Sequence, residues 1–258
     1  MLNMNNYNNK EKSRGILAFA NNTATVDYET IASKTLRLAE HHLGMPSLII
    51  TNQNKKDWHN TRRDIDTAET LPWNNHSRWQ CYELSPWDET LVIDIDLLIV
   101  TDRYKRLFEN MPDVLLCHNN RRLFDDSEDN FKPVWATVFS FRKSAMAQDF
   151  FELVGRIERN WHYYRRVFGL ISTEYRNDYA FAMAELILNG HTQAQHTRMP
   201  WGLLTVDAAV DNIDIGSDWM VVRHTHGADI LPRIDLHVMS KAWLQSNKLD
   251  EFVEKALS

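Results

Sequence analysis

The sequence is poor in the residues that build special scaffolds. Two cysteines in 258 residues, Cys81 and Cys117, cannot make a disulfide framework, and no CxxC pair exists for a metal knuckle or redox site. No stretch approaches the roughly 18 apolar residues of a membrane span. Residues 1–14 carry five Asn and no apolar segment, so they read as a loose polar start and not as a secretion signal. These absences together predict a protein of a reducing, cytoplasmic compartment. Eight Gly and seven Pro exclude collagen-like and low-complexity classes. The excess of acid over base is small, 35 Asp+Glu against 29 Lys+Arg for a net charge of −6, so the surface as a whole does not grip polyanions, although a local basic groove remains compatible with it.

What is present is ordinary globular material with an aromatic surplus: 43% hydrophobic residues, nine Trp, eight Tyr and eleven Phe. Trp135 and Trp243 fall in apolar patterns and read as core. Trp58, Trp73 and Trp201 fall in loops, where they either anchor the loop or hold ring-shaped ligands.

Residues 15–20 (GILAFA) read as a short buried strand, followed by the polar turn Asn21-Asn22-Thr23. Ala32, Leu36, Ala39 and Leu43 then mark one stripe of a helix over 28–43, with Gly44 suited to its cap. Residues 47–51 (SLIIT) form a second strand, completing a βαβ unit and predicting a parallel sheet. A helix over 77–84 precedes a strand over 89–94. Further strands are predicted near 113–117, 134–141, 219–222 and 234–239. Helices are predicted over 144–166, from 177 to Gly190, and from about 242 to the end. Residues 119–132 read as a long acidic loop and 191–218 as irregular.

The chemistry concentrates in Leu91-Val92-Ile93-Asp94-Ile95-Asp96-Leu97-Leu98-Ile99. An aliphatic strand delivers two carboxylates one residue apart. Burying one charge is costly, and two like charges also repel. A divalent cation relieves both costs, because hard cations take carboxylate oxygens. The carboxyl end of a central strand is also where open α/β sheets bind ligands. The alternative is that Asp94 or Asp96 caps a turn and faces water.

The order of motifs resembles the glycosyltransferases of the GT-A fold. The strand ending in Asp94-Ile95-Asp96 matches their hydrophobic-Asp-x-Asp-hydrophobic pattern. Residues 134–151 (VWATVFSFRKSAMAQDFF) resemble their later strand, turn and Ser-started helix, with Trp135 and Ala136 in place of the frequent Asn and Gly. Asn177-Asp178-Tyr179-Ala180-Phe181 resembles the acidic motif at a helix start that faces sugar or acceptor. Asp235-Leu236-His237-Val238-Met239-Ser240-Lys241 resembles the C-terminal His with a nearby Lys, without the usual Gly between them.

The resemblance spans roughly residues 14–245. It implies an α/β chain: one GT-A-like domain over 15–258, with a mostly parallel twisted central sheet flanked by helices. The nucleotide-binding half would be about 15–118 and the acceptor half about 119–258. It implies Mn²⁺ or Mg²⁺ held first of all by Asp96, with Asp94 as a ribose or metal contact and His237 as a third ligand; His224 and His226 are the competing imidazoles. The donor would be a nucleotide-diphosphate sugar, first of all a UDP-sugar. Ala20, Asn21, Asn22 and Thr23 would lie at the base and ribose, Arg78 near the nucleotide or donor sugar, and Lys241 at the diphosphate. Asp178 would be general base or donor-sugar contact. The acceptor would be a glycan or a hydroxylated base in bacteriophage DNA. The second possibility is motivated by the segment 155–176, where Arg156, Arg159, Arg165, Arg166 and Arg176 interleave with Trp161, Tyr163, Tyr164, Phe168 and Tyr175. That segment also reads as a helix with one apolar and one solvated face. Two rival classes are a nucleotidyltransferase, whose Gly-rich phosphate loop has no counterpart in Ala20-Asn21-Asn22-Thr23, and a non-catalytic nucleotide-binding module.

Overall fold

A computed structural model describes residues 12–51, 78–118, 120–122, 133–171, 173–191 and 198–258. The loose start over 1–11, the loop tryptophans Trp58 and Trp73, and most of the acidic loop lie outside the described residues.

The opening βαβ unit forms as expected. Strand β1 (Arg14–Phe19) runs into helix α1 (Tyr28–Leu43) and returns as β2 (Ser47–Ile50). The Asp27 side chain caps α1 by accepting the Thr30 N–H at 3.0 Å. Gly44 ends it with φ 64°, a left-handed conformation that glycine adopts without steric cost. Ala32, Leu36, Ala39 and Leu43, the predicted stripe, are all buried.

A 3-10 turn (Arg78–Gln80) and the short α2 (Cys81–Leu84) lead to β3 (Glu89–Ile93). Every residue of β3 is buried, as for a strand covered on both faces. Glu89 tolerates this because Lys12 and Arg14 reach its carboxylate at 2.8 and 3.0 Å. Next come β4 (Leu97–Leu98), a 3-10 turn (Arg103–Phe108), β5 (Val114–Cys117), β6 (Asn120–Arg122) and β7 (Trp135–Arg142).

The main sheet has the order β2-β1-β3-β7-β5. The β1 pairings with β2 and β3 are parallel, while β7 is antiparallel to both β3 and β5. Four of the five strands therefore share one direction, and β7 alone is reversed. Alternation along the strands feeds two cores. Ile16, Ala18, Leu91 and Ile93 point into one with α1, and Leu17, Val92, Phe139 and Phe141 into the other.

Three helices follow: α3 (Ala145–Arg159), α4 (Trp161–Val167) and α5 (Asn177–Leu188). The single helix expected over 144–166 is broken at Asn160. Its side-chain amide donates to the Arg156 carbonyl at 2.9 Å, competing for the backbone acceptor there and ending α3.

The stretch expected to be irregular over 191–218 instead contains β8 (Leu203–Val206) and β9 (Val210–Ile215). After β10 (Trp219–His224) comes an unexpected β11 (Gly227–Pro232), then β12 (Leu236–Val238). Residues 227–232 contain Gly, Ala, Asp and Pro, so composition hid this strand. It forms by hairpin pairing with β10. The terminal helix is split into α6 (Lys241–Leu244) and α7 (Asn247–Leu257) by Ser246, whose hydroxyl caps α7.

A second sheet has the order β4-β12-β8-β6, and a third the order β11-β10-β9. The second sheet brings the site together. β4 follows β3 after a three-residue turn, Asp94-Ile95-Asp96, so this turn carries the chain from one sheet to the other. β12 then pairs antiparallel with β4, placing His237 opposite Leu97.

The scarce glycines serve the abundant tryptophans. A Cβ on Gly15 would overlap the Trp87 indole, and one on Gly155 would lie 2.8 Å from the Trp79 ring. Trp243 is core as expected, whereas Trp135 is half-buried. Trp201 packs edge-on to Tyr104 with centroids 5.7 Å apart and under the Arg103 guanidinium, so it anchors its loop. Among the described residues, no helix is long and apolar enough to cross a membrane.

Candidate metal centre

Two strands from distant parts of the chain deliver the central residues. One oxygen each of Asp94 and Asp96 and one ring nitrogen of His237 lie within 4.8 Å of one another, the one such group of three or more metal-ligating side chains among the described residues. The backbone sets this. The Asp94 N–H donates to the Thr137 carbonyl at 2.7 Å, and the Val238 N–H donates to the Asp96 carbonyl at 2.8 Å. His237 Nδ1 lies 3.1 Å from Thr205 Oγ1 on β8, which orients the ring and turns Nε2 toward Asp96. In the neutral tautomer whose Nδ1–H donates to Thr205 Oγ1, Nε2 keeps the lone pair that a metal requires.

Both carboxylates face cations of the chain itself. Arg78 forms an ion pair with Asp94 and donates to the Ala136 carbonyl at 2.7 Å. Lys241, the first residue of α6, forms an ion pair with Asp96 Oδ2. Asp96 Oδ1 is buried and makes no hydrogen bond among the described residues. Its contact with His237 Nε2 at 3.3 Å is electrostatic and not an aligned hydrogen bond.

Burial opposes the Asp96 charge, but His237 and then Lys241 outweigh it and hold this carboxyl well below the usual range. Burial likewise opposes the charges of His237 and Lys241, and Asp96 reverses that, raising both pKa values. Arg78 is raised against its burial by Asp94.

The two carboxylates, one with a buried oxygen that accepts no hydrogen bond, and the imidazole suit a hard or borderline divalent cation. His224 and His226 sit in the β10–β11 hairpin, where His224 faces Asp229 at 3.5 Å, and they do not join the Asp94–Asp96 group.

The remaining expected residues are distributed around this centre. Because β1 and β3 are parallel neighbours, with Ala18 beside Ile93, the turn Ala20-Asn21-Asn22-Thr23 emerges at the same sheet end as Asp94. Part of that turn is internally committed, since Asn22 Oδ1 accepts the Glu29 N–H and Thr23 Oγ1 the Val26 N–H. Asp178 lies one residue inside α5 and does not cap it. Its Oδ1 accepts the Ala136 N–H at 3.0 Å and its Oδ2 accepts from Arg176 at 2.8 Å. One residue of β7, Ala136, is thus gripped by Arg78 through its carbonyl and by Asp178 through its N–H. In the basic–aromatic segment, Trp161 and Tyr175 are buried, and Tyr163 is the exposed ring among the described residues.

Sequence reading missed Asp235, Thr205 and Tyr28. Asp235 is fully buried and accepts hydrogen bonds from Val100 N, Thr101 N and Thr101 Oγ1 at 2.7–2.9 Å, with Arg103 Nε at 2.6 Å. It clamps the start of β12 to the segment after β4. An Asp two residues before a candidate ligand was the available signal. The Tyr28 ring centroid lies 6.0 Å from Lys241 Nζ.

No family model matches this chain, and no curated protein matches it. Solved structures similar to it include glycosyltransferases. The glycosyltransferase GlyE of Streptococcus pneumoniae TIGR4 is 11% identical with a TM-score of 0.44, over 73% of this chain and 45% of that one. The galactosyltransferase LgtC, in complex with donor and acceptor sugar analogs, is 12% identical with a TM-score of 0.41, over 66% of this chain and 69% of that one. A glycosyltransferase involved in glycosylation of the major capsid of PBCV-1 is 12% identical with a TM-score of 0.31, over 62% and 79%. This chain therefore spans less than half the length of GlyE.

Proposed function

We propose that the chain is a metal-dependent glycosyltransferase, moving a sugar from a nucleoside diphosphate to an acceptor hydroxyl. The observation that carries this reading is the convergence of Asp94, Asp96 and His237 within 4.8 Å at a strand end, with Lys241 against Asp96. A nucleotidyltransferase is less well served, because the turn after β1 has no glycine with which to wrap a triphosphate.

In this reading Asp94, Asp96 and His237 Nε2 hold Mn²⁺ or Mg²⁺. The bound cation supplies Lewis-acid stabilisation of the charge that builds on the leaving diphosphate. Lys241 sits in the first turn of α6 with its side chain about one-third exposed, free to swing its ammonium from Asp96 toward a phosphate oxygen. Arg78 is committed to Asp94 and the Ala136 carbonyl, so it acts by holding Asp94 and not by reaching the nucleotide itself. The turn 20–23 lies where a base and ribose enter. Both Asp178 oxygens already accept hydrogen bonds, and the remaining lone pairs suit acceptance from a sugar hydroxyl. A UDP-sugar is the first donor to test and a glycan hydroxyl the first acceptor.

The test is donor hydrolysis with Mn²⁺ across UDP-, GDP-, dTDP- and CMP-sugars, for the native chain and Asp96→Asn. Loss of metal-dependent turnover in a folded Asp96→Asn protein is expected. Unchanged turnover in that variant overturns the proposal.

A further inference from the structure

We propose that α4 and the turn after it form a docking surface for an anionic lipid bilayer. Four features carry this; the first three stand without the glycosyl-transfer reading, and the fourth rests on it.

The first is exposure of large apolar side chains. Tyr163 is 60% exposed, Val167 59% and Ile171 93%. Together these three make a patch of exposed apolar surface, and it is a patch, not a lone residue, that points to another phase.

The second is geometry. Tyr163 and Val167 are four residues apart on one face of α4, and Ile171 follows just past the helix end at Gly169.

The third is local charge. Residues 156–171 hold Arg156, Arg159, Arg165 and Arg166 against the single acid Glu158, within a chain of net charge −6. Arg156, Arg159 and Arg166 are exposed. Apolar side chains that enter the headgroup layer, ringed by arginines that reach phosphate, are the composition of an interfacial segment. Tyrosine prefers that same depth.

The fourth is linkage to the candidate site. Trp161, which opens α4, packs edge-on to Tyr175 with centroids 5.4 Å apart and donates to the Thr173 carbonyl at 2.9 Å. The Tyr175 hydroxyl in turn contacts the Asn177 side chain at 3.1 Å, next to Asp178. A bilayer under α4 would therefore set the height at which Asp178 stands above it, and acceptors at a membrane surface would be presented at a constant distance.

Nucleic acid fits this surface less well. Single strands are held by rings on which bases stack. Here Trp161 and Tyr175 are buried and Val167 and Ile171 offer no π-face, which leaves Tyr163 as the one exposed Phe, Tyr or Trp ring of the surface, too few to stack successive bases.

The experiment is vesicle flotation of the full chain, using pure phosphatidylcholine and phosphatidylcholine with 30% phosphatidylglycerol, as an order-of-magnitude surface charge near that of an anionic leaflet. Binding only to the anionic vesicles is expected. Arg166→Gln should weaken it by about fivefold, the value of one basic residue near such a surface. Val167→Asp with Ile171→Asp should weaken it by at least about tenfold. Both variants alter exposed side chains, and their melting temperatures should match the native chain. Equal binding to both vesicles, no binding to either, or undiminished binding by the double Asp variant overturns the proposal. So does binding of a single-stranded oligonucleotide that the same substitutions weaken more than vesicle binding.

Discussion

Asp235→Ala tests how the second sheet positions the candidate metal ligands. The carboxylate it removes is fully buried and accepts from two backbone N–H groups and one hydroxyl, with Arg103 beside it. Each buried donor left unpaired costs about 1–3 kcal/mol. Removing one partner of a buried ion pair costs about 3–5 kcal/mol. The two figures describe overlapping losses and do not add. A net destabilisation of about 4 kcal/mol follows. At about 2–4 °C per kcal/mol for a chain of this size, the melting temperature falls by about 8–16 °C.

Asp235→Asn sharpens the reasoning. Burial pushes the Asp235 carboxyl up despite Arg103 and the three donors, so the charge itself carries a cost. An amide keeps an acceptor oxygen without that cost and should recover about half of the loss. The assay is thermal unfolding in EDTA, followed by Mn²⁺ titration of whatever remains folded at 20 °C, an order-of-magnitude choice near maximum stability. Weakened Mn²⁺ binding is expected, because β12 begins one residue after Asp235. A fall below about 3 °C for the Ala variant, outside the range its lost partners allow, refutes the clamp. So does an Asn variant as damaged as Ala.

Three further outcomes follow from the same geometry. His237 has its pKa raised above the ordinary 6.5, its burial being outweighed by Asp96, so its contribution to stability is complete below about 6.5 and is lost as pH rises through the folded value. The metal-free protein should thus lose stability as pH rises above about 6.5. His237→Gln should flatten this slope in urea unfolding, and an unchanged slope contradicts the pair. Lys241→Met removes the ammonium that competes for Asp96. By calorimetry Mn²⁺ should bind about tenfold tighter and UDP about tenfold weaker, each a change of about 1.4 kcal/mol; unchanged or weaker Mn²⁺ binding contradicts the competition. Gly15→Ala drives a methyl into the Trp87 indole and should cost about 1–3 kcal/mol. An unchanged urea midpoint would show that Trp87 can move aside.

Local pattern made the first half of the fold legible. Residues 28–43 announce a helix by apolar spacing and a glycine stop, and 89–93 announce a buried strand by an unbroken aliphatic run. The Asp94-x-Asp96 pair was visible because buried like charges are so costly that their presence needs a reason. What stayed hidden depends on partners distant in sequence. The residues of β11 have weak strand preference, and the strand exists only through pairing with β10. The break at Asn160 is a competition between one side-chain amide and the helix ladder, which apolar periodicity does not register. Asp235 reads as one more acidic residue until its donors at 100 and 101 stand around it. The choice between His237 and the His224/His226 pair was likewise a question of register. The antiparallel match of Leu97 with His237 brings this imidazole, and not those of His224 or His226, beside Asp96, since a one-residue slip would turn it away.

The charges of the site carry a consequence for the order of binding. Asp94 and Asp96 are opposed one for one by Arg78 and Lys241. These four charges balance, and His237 adds positive charge below its raised pKa, which explains how two carboxylates can stand one residue apart at a buried turn. A diphosphate approaching this balanced group gains little, because the nearby cations are already engaged. A divalent cation held by Asp94, Asp96 and His237 would add two positive charges, and Asp96 would then release the Lys241 ammonium. Lys241 is the mobile member of the two, about one-third exposed at a helix start, whereas Arg78 is nearly buried and tied to the Ala136 carbonyl. The centre then presents excess positive charge and a free ammonium where a diphosphate would lie. On this argument metal binds before donor, and UDP should show little affinity in EDTA and a large gain with Mn²⁺. Equal UDP affinity with and without Mn²⁺ would mean that the carboxylates are permanently satisfied by Arg78 and Lys241, and that the group is a structural ion-pair network instead of a metal centre.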